Sequence, residues 1–75
     1  MTNKDYLIKA LASYLNILSE AAHTREQYED EYMPKVRRVD NLYTTVILIM
    51  KSNSSSELED NYNIDTLMDQ FPIIY

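Results

Sequence analysis

The chain has 75 residues, a formal net charge of −5, no cysteine, no glycine and a single histidine, His23. These counts exclude disulfides and cysteine nucleophiles, and without glycine the usual phosphate-binding loops and the nucleophile elbow are excluded as well. Since 45% of the residues are hydrophobic, we expect one folded domain over residues 1–75, in which oligomerisation or a partner adds stability.

Catalysis finds little support in these residues. His23 lies beside Glu20 and Thr24 and has no cysteine or elbow serine to activate, which is typical of a surface histidine. A domain this small also offers little room for an enclosed pocket. We therefore predict a protein that is not an enzyme, with no cofactor and no metal.

The chain shows no signal for a membrane. Lys4, Asp5 and Lys9 interrupt the first apolar segment, and the longest uninterrupted apolar run covers only residues 46–50. Neither a signal peptide nor a membrane span fits this pattern, so we predict a cytoplasmic protein that does not contact a membrane.

A long amphipathic helix is predicted to begin after Thr2, because Thr2 and Asp5 have the spacing of a capping box. Through residue 22 its apolar residues form four rows at seven-residue spacing, more than one intramolecular face requires. Either the helix is buried on two sides by its own fold, or it also contacts a second copy or partner. The candidate oligomer face comprises Ile8, Leu11, Leu15 and Leu18, and we expect a homodimer.

Residues 25–38, REQYEDEYMPKVRR, carry four acids, then Pro34, then three bases. If the helix broke at Pro34, both sets of charges would oppose the helix dipoles. Two alternatives are a kinked helix through Pro34 and a helix that restarts at Thr24, which has capping-box spacing to Gln27. Each alternative predicts an acidic ridge at a projecting corner, with five candidate partner-binding residues: Glu26, Tyr28, Glu29, Asp30 and Tyr32.

A second helix is predicted over residues 35–51, because most apolar residues there fall within about 160° of a helical wheel, with Leu48 outside. A strand over 44–50 is the alternative, since that stretch is rich in β-branched residues. A loop over 51–56 follows, and capping-box spacings at Ser54 and Ser56 predict a short acidic helix.

Asn63 or Asp65 is expected to cap another short helix that ends at Pro72. The apolar tail, residues 72–75, is expected to dock on the core or on a partner. The predicted fold is thus an all-α bundle of three or four helices.

Two residue types indicate protein binding. The chain has seven tyrosines, a residue favoured at interfaces, although we expect Tyr6, Tyr14 and Tyr43 to fill the core with their hydroxyls at its rim. Glu57 and Asp60 share one helical face, and carboxylates one turn apart approximate the spacing of successive phosphates. Glu57 and Asp60 therefore join the candidate partner-binding residues.

Residues 65–71, DTLMDQF, resemble the short peptides with Leu and Phe that dock in bacterial sliding-clamp pockets. The resemblance is carried by Leu67, Asp69 and Phe71 alone, covers about a tenth of the chain and lacks the usual leading glutamine. It implies a clamp-binding segment at this position.

The leading functional hypothesis is a small acidic inhibitor or regulator that docks on a larger protein with a basic surface. The target would be a nucleic-acid-handling enzyme such as a sliding clamp, polymerase or nuclease, blocked by DNA-mimic-like acidic helices. A homo-oligomeric helical adaptor, chaperone or antitoxin is the first alternative. The second is a DNA-binding regulator acting through Lys35, Arg37 and Arg38, which the net charge disfavours.

Overall fold

The computed structural model describes residues 1–74, except for the side chains of residues 24–32. Helix α1 spans Asn3–Ser52, α2 spans Ser55–Asn61 and α3 spans Ile64–Gln70, and the described residues contain no strand. The predicted all-α bundle, with a long first helix and short C-terminal helices, is confirmed. None of these helices combines the length and apolar character that crossing a bilayer requires, as judged on the described residues.

Helix α1 is not one straight rod. A straight helix of its 50 residues would be about 75 Å long, whereas the molecule measures 44 × 20 × 15 Å. Its described parts, residues 3–23 (arm 1) and 33–52 (arm 2), lie side by side and antiparallel. Ala21 and Val36 line one groove, and Tyr14, Val39 and Val46 share the same hydrophobic cluster.

Arm 2 settles two of the alternatives left by the sequence. Residues 44–50 are helical, so the predicted helix over 35–51 is confirmed and the alternative strand over 44–50 is wrong. The helix buries Val39 and Val46 along one face, and this burial outweighs the β preference of the stretch. Pro34 lies inside α1, so the helix does not end there. The restart at Thr24 is wrong as well, because α1 continues from Asn3 to Ser52 without a break.

Side-chain caps set the helix boundaries. The Thr2 hydroxyl accepts the backbone N–H of Asp5 at 3.2 Å, and Asp5 accepts that of Thr2 at 3.4 Å. An equivalent capping box joins Ser54 and Glu57. The predicted loop over 51–56 is therefore too long, because α1 runs to Ser52 and Ser54 already caps α2.

The C-terminal helix follows its prediction. The Asn63 side chain accepts the backbone N–H of Asp65 at 2.8 Å, so Asn63 rather than Asp65 caps α3. Phe71 is the residue at the C-terminal end of this helix, directly before Pro72. Proline has no backbone N–H and cannot continue a helix, which explains the boundary.

The core lies where the two arms meet the layer formed by α2, α3 and the tail. Leu7, Tyr14, Val39, Val46, Leu58 and Leu67 are its largest fully buried side chains. Each fully buried aliphatic side chain contributes about 1.5–3 kcal/mol relative to leaving it in water. Leu58 and Leu67 are thus the main apolar anchors of α2 and α3.

Asn3 joins the start of α1 to α2 and is the buried polar residue among those described. Its side-chain amide donates to the carbonyls of Leu58 at 2.9 Å and Tyr62 at 2.6 Å. Its backbone N–H donates to the Glu59 carboxylate at 2.7 Å. The Leu58 carbonyl also accepts the backbone N–H of Tyr62, whereas the Tyr62 carbonyl lies at the C-cap, beyond the last internal bond of α2. The Asn3 amide therefore satisfies the cap carbonyl and adds a second donor to that of Leu58.

The tail is held against arm 1 by polar contacts. The hydroxyl of Tyr6 donates to the carbonyl of Phe71 at 2.9 Å, and that of Tyr14 donates to the carbonyl of Pro72 at 3.0 Å. The backbone N–H of Ile74 donates to the Ser13 hydroxyl at 3.3 Å. Ile73 and Ile74 are half-buried against the core, so the expectation that the tail docks on the core is confirmed through residue 74.

The tyrosines of the core behave largely as predicted. Tyr6 and Tyr14 are buried, with their hydroxyls bonded to the carbonyls of Phe71 and Pro72, and Tyr43 is half-buried. Burial raises the pKa of Tyr14 from its ordinary value of 10.0 to about 12; Tyr6 adds to the rise and Arg38 opposes it. Tyr14 therefore stays neutral and keeps donating its hydrogen bond well into the alkaline range.

Replacing the Tyr14 hydroxyl should weaken the fold measurably. Tyr14→Phe removes the bond to the Pro72 carbonyl and is expected to lower the free energy of unfolding by about 1–2 kcal/mol in urea denaturation. Tyr43→Phe is the matched control, because the Tyr43 hydroxyl makes no hydrogen bond with described residues. Equal losses in both variants would mean that the Tyr14 contact contributes nothing specific.

The raised pKa of Tyr14 predicts a loss of stability at high pH. Between about pH 10 and pH 12 this tyrosine ionises in the unfolded chain but stays neutral in the folded one. Ionisation therefore favours unfolding as the pH rises through this window. Urea denaturation at several pH values in this window measures the free energy of unfolding of wild type and of Tyr14→Phe. The difference between the two should become smaller as the pH rises. A difference that stays constant would contradict the raised pKa of Tyr14.

Candidate functional site

The predicted acidic ridge lies outside the described residues. Its five candidate side chains, those of Glu26, Tyr28, Glu29, Asp30 and Tyr32, belong to residues 24–32. Their partner-binding role stays a prediction. The remaining two candidates, Glu57 and Asp60, are described.

Glu57 and Asp60 are both exposed on α2 but differ in their contacts. The Glu57 carboxylate accepts the backbone N–H of Ser54 at 3.0 Å and so closes the capping box. The Asp60 carboxylate makes no hydrogen bond or ion pair with described residues. Glu57 thus has a structural task at the start of α2, whereas Asp60 has none among the described residues.

The structure places three further carboxylates in the same layer as Glu57 and Asp60. Residues 52–75 contain no lysine, arginine or histidine. All five charged side chains of this segment, which we call the acidic layer, are exposed: Glu57, Glu59, Asp60, Asp65 and Asp69. The prediction missed Glu59, Asp65 and Asp69 as candidates, although the −5 charge of the last 24 residues was the signal that could have found them.

Two members of the acidic layer occupy unfavourable positions. Asp60 lies in the last turn of α2 and Asp69 in the last turn of α3, and neither last turn contains a basic residue. Negative charge at a helix C-terminus opposes the helix dipole. These two carboxylates therefore oppose the dipoles of their helices and have no bonding partner among the described residues.

Basic residues lie mainly on arm 2. Lys35, Arg37, Arg38 and Lys51 are exposed there, with Asp40 as the arm's acidic residue among those described. Arg38 is close enough to Tyr14 to lower its pKa. We call α2, α3 and the tail together the C-terminal layer. The described molecule therefore separates most of its charges, with acids on the C-terminal layer and bases on arm 2.

The predicted oligomer face is only partly absorbed by the core. Ile8 and Leu15 are 45% and 46% exposed, whereas Leu11 and Leu18 are partly buried against the core cluster. Ala22, in the same row as Ile8 and Leu15, is exposed too. The interpretation that arm 1 is buried on all its apolar rows by its own fold is therefore wrong for this row.

A groove of about 710 Å³ lies between arm 1, the start of arm 2 and the tail. Ile17, Ala21, Val36, Ile73 and Ile74 supply its apolar walls. Its charged lining side chains are Lys9, Glu20 and Lys35. This lining has no histidine, and His23 itself is exposed. Within the described part of the chain, no three acidic or histidine side chains are grouped so that they could hold a metal ion.

The sliding-clamp resemblance does not survive in the folded chain. Leu67 is 0% exposed and Phe71 is 5% exposed, because both belong to the core cluster. A docking peptide must present these two side chains to its partner, whereas here they hold α3 and the tail in place. Asp69, the third residue of the resemblance, is exposed and belongs to the acidic layer.

Comparison of the chain with protein-family models finds no match, and comparisons with curated proteins and with solved structures find none either.

Neutralising the dipole-opposing carboxylates should stabilise the protein. Asp60→Asn and Asp69→Asn are each expected to raise the free energy of unfolding by about 0.3–1 kcal/mol at low salt, and less at high salt. The measurement is urea denaturation at two salt concentrations. Glu57→Ala is the control of opposite sign and should lose about 1 kcal/mol, because it removes a capping bond. Destabilisation by either asparagine would reveal a structural contact for that carboxylate.

Proposed function

We propose that the protein is a small acidic regulator that docks on a larger protein with a basic surface and inhibits it. The acidic layer is the docking surface among the described residues. A nucleic-acid-handling enzyme, such as a sliding clamp, polymerase or nuclease, is the class of target that this surface fits best, since such enzymes carry basic channels for phosphates.

The observation that carries this proposal is the single sign of the layer. Every charged side chain of α2, α3 and the tail through residue 74 is a carboxylate, and each is exposed. Within the described residues no base neutralises Asp60, Asp65 or Asp69. A surface of one sign attracts a partner of the opposite sign and repels others, which gives fast association and selectivity.

The positions of Asp60 and Asp69 add a second argument. Both oppose the dipole of a short helix, so folding alone favours a neutral or basic residue there. A contribution to binding would give the acids at these positions a role. The same substitutions that stabilise the isolated protein should then weaken its complex, which separates the binding role from the structural one.

The test is capture of partners from a host lysate on immobilised protein, at low and at high salt, with mass spectrometry as the readout. The Debye length is about 8 Å at physiological ionic strength and shorter at higher salt. We therefore expect a specific partner at low salt that is lost at high salt. An excess of double-stranded DNA should displace it if its basic surface normally holds nucleic acid.

Two matched variants assign the binding to the acidic layer. The triple variant Asp60→Asn, Asp65→Asn, Asp69→Asn should lose the partner while keeping its helical circular dichroism. The triple variant Lys9→Gln, Lys35→Gln, Lys51→Gln changes as many exposed charges elsewhere and should retain it. Retention of the partner by the acidic-layer variant, or capture that is indifferent to salt, would refute the proposal.

A further variant measures how much the predicted acidic ridge contributes to partner binding. Glu26, Glu29 and Asp30 are reversed to lysine together, and capture is compared with that of the acidic-layer variant. If the ridge variant alone loses the partner, the docking surface is the ridge rather than the acidic layer.

A further inference from the structure

We propose that arm 1 pairs antiparallel with arm 1 of a second copy of this chain, through the row formed by Ile8, Leu11, Leu15 and Leu18. We call this row the outer seam. Its spacings of three, four and three residues are those of positions a and d in a coiled coil, with Ile8 and Leu15 at a and Leu11 and Leu18 at d. This inference stands independently of the proposed function.

The chain's own fold covers the outer seam only in part: Leu11 and Leu18 are partly buried against the core, whereas Ile8 and Leu15 are exposed. The C-terminal layer contacts arm 1 through Asn3, Tyr6, Ser13 and Tyr14. On a helical wheel with 3.6 residues per turn, these four side chains point on average in one direction and the four side chains of the outer seam in another. The two average directions are roughly 130° apart around the axis of arm 1. Ile8 and Leu15 are consequently 45% and 46% exposed, although each is a large apolar side chain at a seam position.

A second copy fits the outer seam better than a charged partner does. Residues 10–19 contain no charged residue, and the small Ala12 and Ser19 flank the seam on its exposed side. Two copies therefore meet without like-charge repulsion at the contact. Their acidic layers, on another side of each arm 1, stay away from the contact despite the net charge of −5 on each chain.

The charges at the end of the seam select the antiparallel orientation. A parallel pair would place Lys4, which continues the d positions, opposite Lys4 of the other copy. In the antiparallel pair with most apolar layers, Ile8 meets Leu18 and Leu11 meets Leu15 of the other copy. Lys4 then lies opposite Ala22, whose small side chain leaves space for the lysine stem.

Equilibrium sedimentation over a wide concentration range tests the contact. The wild type should reach twice its monomer mass of 8.9 kDa. Ile8→Lys and Leu15→Lys should each remain monomeric while keeping helical circular dichroism. Leu48→Lys is the matched control, because Leu48 is an exposed apolar residue on arm 2, 58% exposed and outside the seam. A monomeric wild type, or a dimer that Leu48→Lys disrupts and Leu15→Lys does not, would overturn the proposal.

Disulfide cross-linking tests the orientation with the seam intact, since the chain has no cysteine of its own. Lys4→Cys and Ala22→Cys are made separately, one carrying a mass tag, and then mixed under mild oxidation. The antiparallel pair predicts a cross-link between the two different variants. Cross-links that join only two copies of the same variant would mean a parallel pair. A sample that sediments as a dimer but forms no intermolecular cross-link would mean that the copies meet through another interface.

Discussion

The ring of Tyr14 is the point on which the described fold depends. It is 0% exposed and packs in the same cluster as Val39 and Val46 of arm 2 and Leu67 of α3. Its hydroxyl also holds the carbonyl of Pro72. One side chain thus joins both arms to the C-terminal layer, by apolar burial at its ring and by a hydrogen bond at its tip. Tyrosine is suited to this position because it combines a large apolar surface with a polar end.

The placement of the C-terminal layer decides which surfaces remain available. Asn3, Tyr6 and Tyr14 bind this layer to one side of arm 1, and its apolar residues Leu58, Leu67 and Phe71 all face the core. The acids of α2 and α3 are consequently displayed together on the outside. The same packing leaves Ile8 and Leu15 of arm 1 exposed. An exposed acidic surface and two exposed apolar side chains on arm 1 therefore result from one packing arrangement.

Short polar signals predicted the helix boundaries well. The capping boxes at Thr2 and Ser54, and the stop before Pro72, depend on atoms within a few residues of one another. The loop over 51–56 was placed too widely, since serine and asparagine are typical both of loops and of caps. Leu67 and Phe71 show the reverse problem, because a short motif resemblance contains no information on whether its side chains are buried.

From the amino-acid sequence alone, the all-α class, the caps and the arm 2 helix could be derived, because period and capping are local properties of the chain. The sequence also determined the acidity of the last 24 residues. It could not determine that Ile8 and Leu15 stay exposed while Leu7 and Tyr14 are buried, since all four lie in apolar rows of the same helix. That choice depends on where α2, α3 and the tail pack, which is a contact between residues more than 50 positions apart.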